Sequence, residues 1–416
     1  MAELLIIADD LTGAIEAGVQ LSKHNIPAGV VIDSKSDLTT ELNNKNITAL
    51  VINTESRHIL PKAAAQRISL VLNSVKNAGV KYFYKKTDST MRGNIGSELE
   101  AFMNGTNCSV LPYIPAHPKL KRFTRDGYQY IGEVLLHETS FANDPSEPTK
   151  ECYVPEILKK QIKTEICRSD PTGISLKSSE SAKRKICVFD CQSVSDLEAI
   201  GETILNNNWQ NAIAGTAGFV EILPNLLSLR SSKVNAEPVL GPALIVNGSL
   251  NVASLEQVDY AKDYGITTLF LSQNLVLASD FKTTEDYKQI LEKVKTEFSR
   301  KRSIVISTKE PVNLESEFNS SGKLYQSFLK KTGRIISAIL KEIRVQNLCV
   351  FGGDTLMAIM QESGGRYIEA KNEILSGVAC AKTNLDSGTI TLLSKPGGYG
   401  ERDVIMKIIN HIKNSR

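Results

Sequence analysis

Short apolar segments alternate with longer segments of helical periodicity along the whole chain. Each apolar segment is a continuous run, without the polar alternation of a half-exposed strand. Such runs are typical of parallel strands that helices cover on both faces. The pattern predicts strands at residues 4–8, 49–53, 82–85, 109–114, 186–190, 211–215, 243–247, 267–272, 303–307, 348–353 and 390–393. Strand–helix alternation implies right-handed crossovers, and therefore an open α/β sheet.

The segment 225–242, NLLSLRSSKVNAEPVLGP, interrupts this alternation and is the best candidate for a linker. It is rich in Ser, Asn and Pro, and a new strand follows it. The length of 416 residues also suggests two domains. We therefore predict an α/β protein with domains at 1–232 and 233–416. Each is expected to be a mainly parallel sheet flanked by helices, with the active site in the cleft between them, because open α/β sheets bind ligands beyond the carboxyl ends of their strands.

Composition and charge exclude several classes of protein. The chain is 41% hydrophobic and 23% charged, and its net charge of +3 is too small to indicate a nucleic acid or membrane partner. No apolar run approaches the roughly 20 residues of a membrane span, and the start lacks the features of a signal peptide. The seven cysteines include no C-x-x-C pair. They predict reduced thiols in a cytoplasmic protein, not a disulfide framework or a zinc site.

The first predicted strand ends in ADDLTGA, which places Asp9 and Asp10 side by side at the strand tip. Adjacent carboxylates repel each other, so they require a nearby cation or hydroxyl donors. A polyol can supply the donors, and Mg²⁺ can supply the charge. The alternative is a simple helix N-cap, which accounts for one acid better than for two.

The second predicted strand is followed by NTESRH, which contains Arg57. The planar guanidinium of Arg57 can clamp a carboxylate through two hydrogen bonds. The alternative is a surface ion pair with Glu55, two residues earlier, and exposed pairs of this kind contribute little.

The third predicted strand runs into KKTDSTMRGN, a loop with both charge signs, hydroxyls and glycine. Asp88 can accept hydrogen bonds from substrate hydroxyls or act as a general base. Arg92 beside Gly93 can bring the chain close to an anion, whereas a capped loop is the structural alternative. Three strand tips on one sheet edge now carry the same chemistry, which predicts a site for a small, hydroxyl-rich anion.

The fourth predicted strand leads into a long polar segment, 114–151, that contains His117. Long ordered loops are often functional lids. A lone histidine is a weak signal, and a hydrogen-bonded surface residue is the simpler interpretation of His117.

Glycines follow three predicted strands in the second half of the chain, in VNGSL, FGGDT and KPGGYG. Glycines at a strand–helix junction free backbone N–H groups to bind phosphate, although tight turns also use glycine routinely. Three such junctions in one domain predict a nucleotide site. The chain contains neither a G-x-x-x-x-G-K-[ST] motif nor an opening G-x-G-x-x-G motif. A P-loop NTPase and a dinucleotide-binding domain are therefore not supported.

Taken together and in this order, ADDLTGA, NTESR, KKTDSTMRGNIGSEL, YIPAHP, VNGSL, FGGDT and KPGGYG resemble the four-carbon acid sugar kinase family. That family includes threonate, erythronate and 3-oxo-tetronate kinases. The resemblance implies a sugar-acid-binding domain at 1–232, a nucleotide-binding domain at 233–416, and ATP-dependent phosphorylation of the terminal (4-) hydroxyl of a four-carbon acid sugar. It implies ATP contacts from Ser249, Gly352, Gly353, Asp354, Thr355, Gly397, Gly398 and Gly400.

The residues themselves agree with these roles. Cations suit a substrate carboxylate, and acids suit its hydroxyls. We predict that the sugar acid is bound by Asp9, Asp10, Arg57, Lys86, Asp88, Ser89 and Arg92. The expected ligands are the sugar acid, ATP and Mg²⁺, with neither nucleic acid nor membrane; the metal ligands stay unassigned, and a homodimer is allowed.

A general base must take the proton of the attacking hydroxyl. Asp88 lies among cations, which should lower its pKa and weaken it as a base. One of the adjacent acids Asp9 and Asp10 should have a raised pKa, which favours base character. Asp354 lies beside the expected phosphates, where other sugar kinases have a base, by analogy only. We rank Asp10 first and Asp354 second as catalytic residues.

Two other classes of function compete with the kinase. A metal-dependent sugar-acid aldolase or dehydratase would use Asp9, Asp10 and His117 as metal ligands, and the glycines of the second half would be structural. A non-catalytic protein could instead close on a sugar acid without chemistry. A response to ATP distinguishes the kinase from both.

Overall fold

The computed structural model describes residues 1–34, 38–143, 148–174, 184–235, 238–308 and 322–414. The chain divides into two compact units, Met1–Val234 and Asn235–Arg416. Each unit has a mainly parallel sheet flanked by helices, so the prediction of two α/β domains is confirmed. Within the described ranges, none of the helices is both long and apolar enough to cross a membrane.

The first unit is built on eight parallel strands in the order β2-β3-β1-β4-β11-β5-β10-β9. Its strands are β1 (Leu4–Ala8), β2 (Ala28–Val31), β3 (Ala49–Asn53), β4 (Tyr82–Lys86), β5 (Val110–Ile114), β6 (Arg122–Arg125), β7 (Tyr128–Ile131), β8 (Val134–Leu135), β9 (Glu165–Ser169), β10 (Lys185–Phe189) and β11 (Ala212–Gly215). Its helices are α1 (Leu11–Ser22), α2 (Leu38–Leu42), α3 (Pro61–Ser74), α4 (Ile95–Thr106), α5 (Val154–Lys159), α6 (Val194–Asn206), α7 (Ala217–Val220) and α8 (Leu223–Leu226). The strands β3, β1 and β4 are neighbours, so their carboxyl ends share one edge.

The long polar segment after β5 is not a simple loop, because it contains the antiparallel sheet β6-β7-β8. The β6–β7 turn is Asp126–Gly127, and both residues have positive φ, as a tight hairpin turn requires. From β7, the buried Gln129 donates hydrogen bonds from Nε2 to the carbonyl oxygens of Ser89 and Pro115, each at 3.1 Å. This small sheet therefore supports the loop that follows β4.

The second unit has the strand order β13-β14-β12-β15-β18-β17-β16. Its strands are β12 (Ala243–Asn247), β13 (Thr268–Phe270), β14 (Ile304–Ser307), β15 (Asn347–Phe351), β16 (Tyr367–Leu375), β17 (Val378–Leu385) and β18 (Gly388–Lys395). Its helices are α9 (Val252–Asp263), α10 (Gln273–Leu277), α11 (Glu285–Ser299), α12 (Gly322–Glu342), α13 (Gly353–Glu362) and α14 (Val404–Asn414). The carboxyl ends of β12, β15 and β18 are adjacent, and these three strands are parallel.

Two strands of the second unit depart from the expected parallel pattern. β16 and β17 form an antiparallel meander with β18, joined by tight turns at 376–377 and 386–387. One core of this unit lies between the sheet and helices α9 and α14, and it includes Ile245, Phe351, Val258 and Ile405. The meander extends this sheet by two strands and leaves the edge formed by β12, β15 and β18 intact.

A buried ion pair lies directly beneath the edge of the first sheet. Successive side chains of β4 point to opposite faces, so Lys85 faces α4 while Lys86 faces α1. Lys85 Nζ is 2.8 Å from Glu98 Oε2 and donates to the carbonyl of Lys86 at 2.7 Å. Both charged side chains are almost completely buried. Their pairing fixes the end of β4 just before its polar loop.

Replacing Lys85 with Met should lower the free energy of unfolding by about 3–5 kcal/mol, because Glu98 becomes an uncompensated buried charge. Lys85→Met/Glu98→Leu should recover most of this loss, since neither position then holds an unpaired buried charge. Urea unfolding followed by the fluorescence of Trp209, the only tryptophan and a residue of the first unit, measures both. A double variant as unstable as the single one would contradict this role of the pair.

Candidate active site

Three loops at one edge of the first sheet bring the predicted sugar-acid residues together. Asp9 and Asp10 follow β1, Arg57 follows β3, and Asp88 follows β4, which are adjacent strands. Asp9 and Asp88, 79 positions apart in the sequence, therefore lie at the same edge because parallel strands end there.

Arg57 occupies the centre of this cluster and is nearly buried. Its Nε is 2.7 Å from Asp9 Oδ2, and its Nη2 is 2.8 Å from Asp10 Oδ1 and 3.7 Å from Asp88 Oδ1. Burial alone would lower the pKa of Arg57, but the three carboxylates raise it well above its ordinary value. The protein itself thus supplies the cation that the adjacent carboxylates require.

The cluster makes Asp9 a strong acid. Burial raises the pKa of Asp9, but Arg57, Lys85 and Lys86 outweigh it and hold the pKa at about 2. Repulsion from the neighbouring Asp10 therefore does not give Asp9 the raised pKa that adjacency alone suggests. Asp9 is an anion at neutral pH and is suited to accept hydrogen bonds, not protons.

Asp88 is engaged by its own loop. Arg92 donates from Nε to Oδ2 at 2.9 Å and from Nη2 to Oδ1 at 3.0 Å, while the Thr90 hydroxyl also donates to Oδ2. Burial raises the pKa of Asp88, but Arg92 and Arg57 hold it well below its usual range. The fork of Arg92, which we expected on a substrate carboxylate, grips Asp88 here. The carbonyl of Ser89 accepts the hydrogen bond from Gln129 Nε2 of β7.

Lys86 reaches the first turn of α1 because Gly13 has no side chain. Its Nζ is 3.8 Å from Asp10 Oδ1, and a Cβ on Gly13 would lie 1.9 Å from that Nζ. Burial lowers the pKa of Lys86, but Asp10, Asp9 and Glu16 raise it above the ordinary value. The glycine of ADDLTGA is therefore required for the ammonium to reach the acids.

Asp10 is both the N-cap of α1 and a member of the cluster. Its Oδ1 accepts from the Gly13 N–H at 3.1 Å and pairs with Arg57, whereas these contacts leave Oδ2 unused. Asp9 Oδ1 and the Thr12 hydroxyl are buried and find no hydrogen-bond partner among the described residues. Together these three atoms have hydrogen-bonding capacity that the contacts within the cluster do not use.

Two further residues, His117 and Glu16, lie beside the cluster, and the sequence analysis assigned neither of them to sugar-acid binding. His117 is buried, so its interpretation as a surface residue was wrong, and its Nε2 is 3.6 Å from Glu16 Oε1. Glu16 lies one helical turn beyond Gly13 on the same face of α1, a spacing that could have pointed to it. Burial raises the pKa of Glu16, but His117 and Lys86 lower it below its ordinary value.

The aldolase alternative requires a metal site made of Asp9, Asp10 and His117. Throughout the described part of the chain, no three His, Cys, Asp or Glu side chains converge as metal ligands. His117 contacts Glu16, and Asp9 and Asp10 are both paired with Arg57. The proposed ligand set is therefore not brought together.

The glycine motifs of the second unit also meet at one sheet edge, after β12, β15 and β18. A Cβ on Gly248 would lie 1.8 Å from the Thr355 hydroxyl, and one on Gly397 would lie 2.2 Å from the Ser249 hydroxyl. Gly352 has a φ of +103°, which side chains rarely tolerate. The three loops are thus packed so closely that glycine is required at these positions.

We call these three loops, residues 248–250, 352–355 and 396–400, the glycine cradle, and helix α13 begins within it. Gly352 is its N-cap, and Gly353, Asp354 and Thr355 form its first turn. The first N–H groups of a helix have no partner within the helix and carry partial positive charge, which favours phosphate. Asp354 accepts from the Tyr325 hydroxyl at 2.9 Å through Oδ2.

The third loop of the glycine cradle, which follows β18, is hydrogen-bonded to helix α9. Gly397, Gly398 and Gly400 follow β18, and helix α9 supplies two anchors for them. The Ser254 hydroxyl donates to the carbonyl of Gly397 at 2.6 Å, and Gln257 Nε2 donates to that of Gly400 at 2.8 Å. The same motif also contains Lys395, a fully buried lysine that sequence reasoning did not assign to the site.

Two protein-family models match the chain, one within each of its two compact units. A model described as a sugar-binding N-terminal domain matches residues 4–223, and one described as a nucleotide-binding C-terminal domain matches residues 244–405. Similar proteins include a D-threonate kinase from Salmonella typhimurium, 24% identical over 99% of this chain and 98% of the relative. A D-erythronate kinase from Heliobacterium modesticaldum is 23% identical, covering 99% and 97%. A 3-oxo-tetronate kinase from Haemophilus influenzae is 25% identical, covering 96% and 97%.

Two solved structures share the fold along nearly the whole chain. A Salmonella typhimurium LT2 protein superposes with a TM-score of 0.76 at 20% identity, covering 98% of this chain and 99% of the other. A Haemophilus influenzae protein superposes with a TM-score of 0.68 at 21% identity, covering 99% of both. The sugar-binding model spans more than half of the chain, and the nucleotide-binding model covers most of the rest. The chain therefore belongs to the four-carbon acid sugar kinase family.

Proposed function

We propose that this protein is an ATP-dependent kinase that phosphorylates the terminal (4-) hydroxyl of a four-carbon acid sugar such as threonate, erythronate or 3-oxo-tetronate. Residues 1–232 bind the sugar acid and residues 233–416 bind ATP. The observation that carries the proposal is the Arg57 cluster, in which buried charges of both signs surround acceptors without partners. The names of the similar kinases support the reaction class.

In the proposed complex, the sugar hydroxyls bind Asp9 Oδ1, Asp10 Oδ2 and the Thr12 hydroxyl. The carboxylate binds among Arg57, Lys86 and Arg92. Arg92 has the most exposed side chain of the three, with 24% of its surface accessible. A carboxylate that approaches Arg92 therefore loses less hydration than one that must reach Arg57.

ATP binds the glycine cradle through Ser249, Gly352, Gly353, Thr355 and the turn that contains Gly397, Gly398 and Gly400. Glycine lets the three loops pack together, Gly248 against Thr355 and Gly397 against Ser249, and the first N–H groups of α13 at this edge suit a phosphate. ATP supplies the phosphoryl group, and Mg²⁺ bound to it would neutralise the phosphates. The protein then contributes mainly positioning and charge stabilisation.

We propose Asp10 as the general base. Asp9 and Asp88 are poor bases because cations hold the pKa of each below its ordinary value. Asp10 keeps one carboxylate oxygen outside its contacts with Gly13 and Arg57, and 18% of its side chain is exposed. Asp354 is the second candidate, at the N-terminus of α13.

The protein is proposed to act in the cytoplasm. All seven cysteines are free thiols in the structure, which agrees with a reducing compartment. A homodimer stays a prediction.

A screen of four-carbon sugar acids tests the function directly. With ATP and Mg²⁺, a coupled assay should detect ADP release that depends on one of these acids and is absent without it. Turnover without nucleotide would favour the aldolase or dehydratase instead. Binding of a sugar acid without ADP release, at any of the acids, would favour a non-catalytic binding protein.

Replacing Gly353 with Val should raise the Kd for ATP by at least about tenfold, because a branched side chain blocks the approach of phosphate to the first turn of α13. Isothermal titration calorimetry measures the effect. Thr389→Val is the control, since it also introduces valine and Thr389 is exposed at the other end of β18. Equal ATP affinity in the Gly353 variant and the control would contradict the nucleotide site.

Replacing Asp10 with Asn should lower kcat by roughly two to four orders of magnitude, because the base is lost. Asn also caps helices well, so α1 should be preserved. Steady-state kinetics are compared with those of Asp354→Asn, and ATP affinity should change little in the Asp10 variant. If kcat holds while only the KM of the sugar acid rises, Asp10 binds substrate and Asp354 becomes the better candidate.

A further inference from the structure

Lys395 is fully buried beneath the glycine loop, residues 396–400, which follows β18. Its Nζ donates to the carbonyls of Pro396 at 2.8 Å and Tyr399 at 2.7 Å, with a longer contact to that of Gly397 at 3.5 Å. It also lies 4.5 Å from the centroid of the Phe351 ring. Among the residues that the structure describes, no carboxylate pairs with it. The ammonium is therefore stabilised by main-chain carbonyls, by the Phe351 ring and by the Ser254 hydroxyl at 3.4 Å.

These contacts set the direction of the peptide groups in the loop. In a trans peptide, the carbonyl of one residue and the N–H of the next point in opposite directions. The carbonyls of Pro396, Gly397 and Tyr399 are drawn towards Lys395. The N–H groups of the following residues, Gly397, Gly398 and Gly400, consequently point away from it.

We propose that Lys395 is a positioning residue whose ammonium holds the carbonyls of the glycine loop inward, so that three glycine N–H groups face the phosphates of the nucleotide. The inference rests on the ATP site proposed above. A buried positive charge behind the peptide dipoles also strengthens their attraction for an anion on the opposite side. The lysine thus acts through the loop without touching the nucleotide.

The surroundings of Lys395 couple its proton to ligand binding. Burial lowers the pKa of Lys395 to about 7, and only an ionised Cys349 thiol on β15 would oppose this shift. Burial raises the pKa of that thiol to about 12, so it stays neutral. The other groups that face Nζ are Phe351 on β15, Ser254 on α9 and the loop itself, and none of them is charged.

Bound phosphates favour the ammonium, so nucleotide binding should raise the pKa of Lys395. By linkage, affinity is full below pH 7 and falls as pH rises through about 7, where the free protein loses this proton. Binding above that pH should therefore take up protons.

Calorimetric titration with ADP between pH 6 and 9 tests the proposal on Lys395→Met and on a matched control, Gln257→Met. Gln257 is also fully buried and donates to the carbonyls of Tyr399 and Gly400, at 3.0 and 2.8 Å, but it is uncharged. Lys395→Met should weaken ADP binding at least about tenfold at pH 6 and flatten the pH dependence. Gln257→Met should weaken binding yet keep the wild-type pH dependence. Ionisation of ADP itself is common to all three proteins.

Wild-type affinity and pH dependence in Lys395→Met would overturn the inference while leaving the ATP site intact. A wild-type protein that binds no ADP would overturn the ATP site and this inference with it. If Lys395→Met does not fold, wild-type titrations at pH 8 in two buffers of different ionisation enthalpy decide the question. Proton uptake that Gln257→Met retains supports the inference, and no uptake overturns it.

Discussion

Three carboxylates can converge at the edge of the first sheet because the guanidinium of Arg57 lies among them. Asp9, Asp10 and Asp88 follow adjacent strand ends, and without a central cation their mutual repulsion would raise their pKa values or push the loops apart. With Arg57 in place, Asp9 and Asp88 stay ionised. The positions of Lys86, of Arg92 and of the glycine that admits Lys86 all follow from this arrangement.

In the proposed enzyme, the two units bind their anions in different ways. The first uses side-chain charges, and the second uses backbone N–H groups at glycine-rich strand ends. Each nevertheless places a buried lysine behind its loop, where the ammonium donates to main-chain carbonyls. Lys85 is paired with Glu98, so its charge is balanced at a fixed distance. Lys395 has no such partner among the described residues, which makes its proton sensitive to whatever charge binds above the loop.

Continuous apolar runs predict strand positions well because a strand covered on both faces has no polar alternation. Each of the predicted strands has a counterpart in the structure, from β1 to β18. Among the strands that were missed, β2 is a buried apolar run that the same rule should have found, whereas β9 is an edge strand with polar residues, and β6–β8 and β16–β17 are antiparallel. The Asp-Gly turn between β6 and β7 was the available signal for one of them.

The sequence places the right loops on one edge, since strand ends follow from the apolar pattern, but it cannot pair their side chains. Arg57 was expected on a substrate carboxylate, whereas it holds Asp9 and Asp10. That choice depends on contacts between residues 48 positions apart, which no local pattern records. The motif KPGGYG contains Lys395, but the sequence does not predict that its side chain is buried, because a lysine at the end of an apolar strand usually marks the point where the chain becomes exposed.

The atoms left without partners bear on how the proposed enzyme would tell one sugar acid from another. Asp9 Oδ1 and the Thr12 hydroxyl are already desolvated, so a ligand whose hydroxyls miss them leaves buried polar groups unpaired. Such a loss costs about 1–3 kcal/mol for each group, which corresponds to a preference of roughly fivefold to more than a hundredfold. A pocket with only apolar contacts could not distinguish substrates by the orientation of a hydroxyl in this way. Any sugar acid can satisfy the charged cluster. Selection among four-carbon acids would then depend more on these acceptors and donors, and on the neighbouring pair Glu16 and His117.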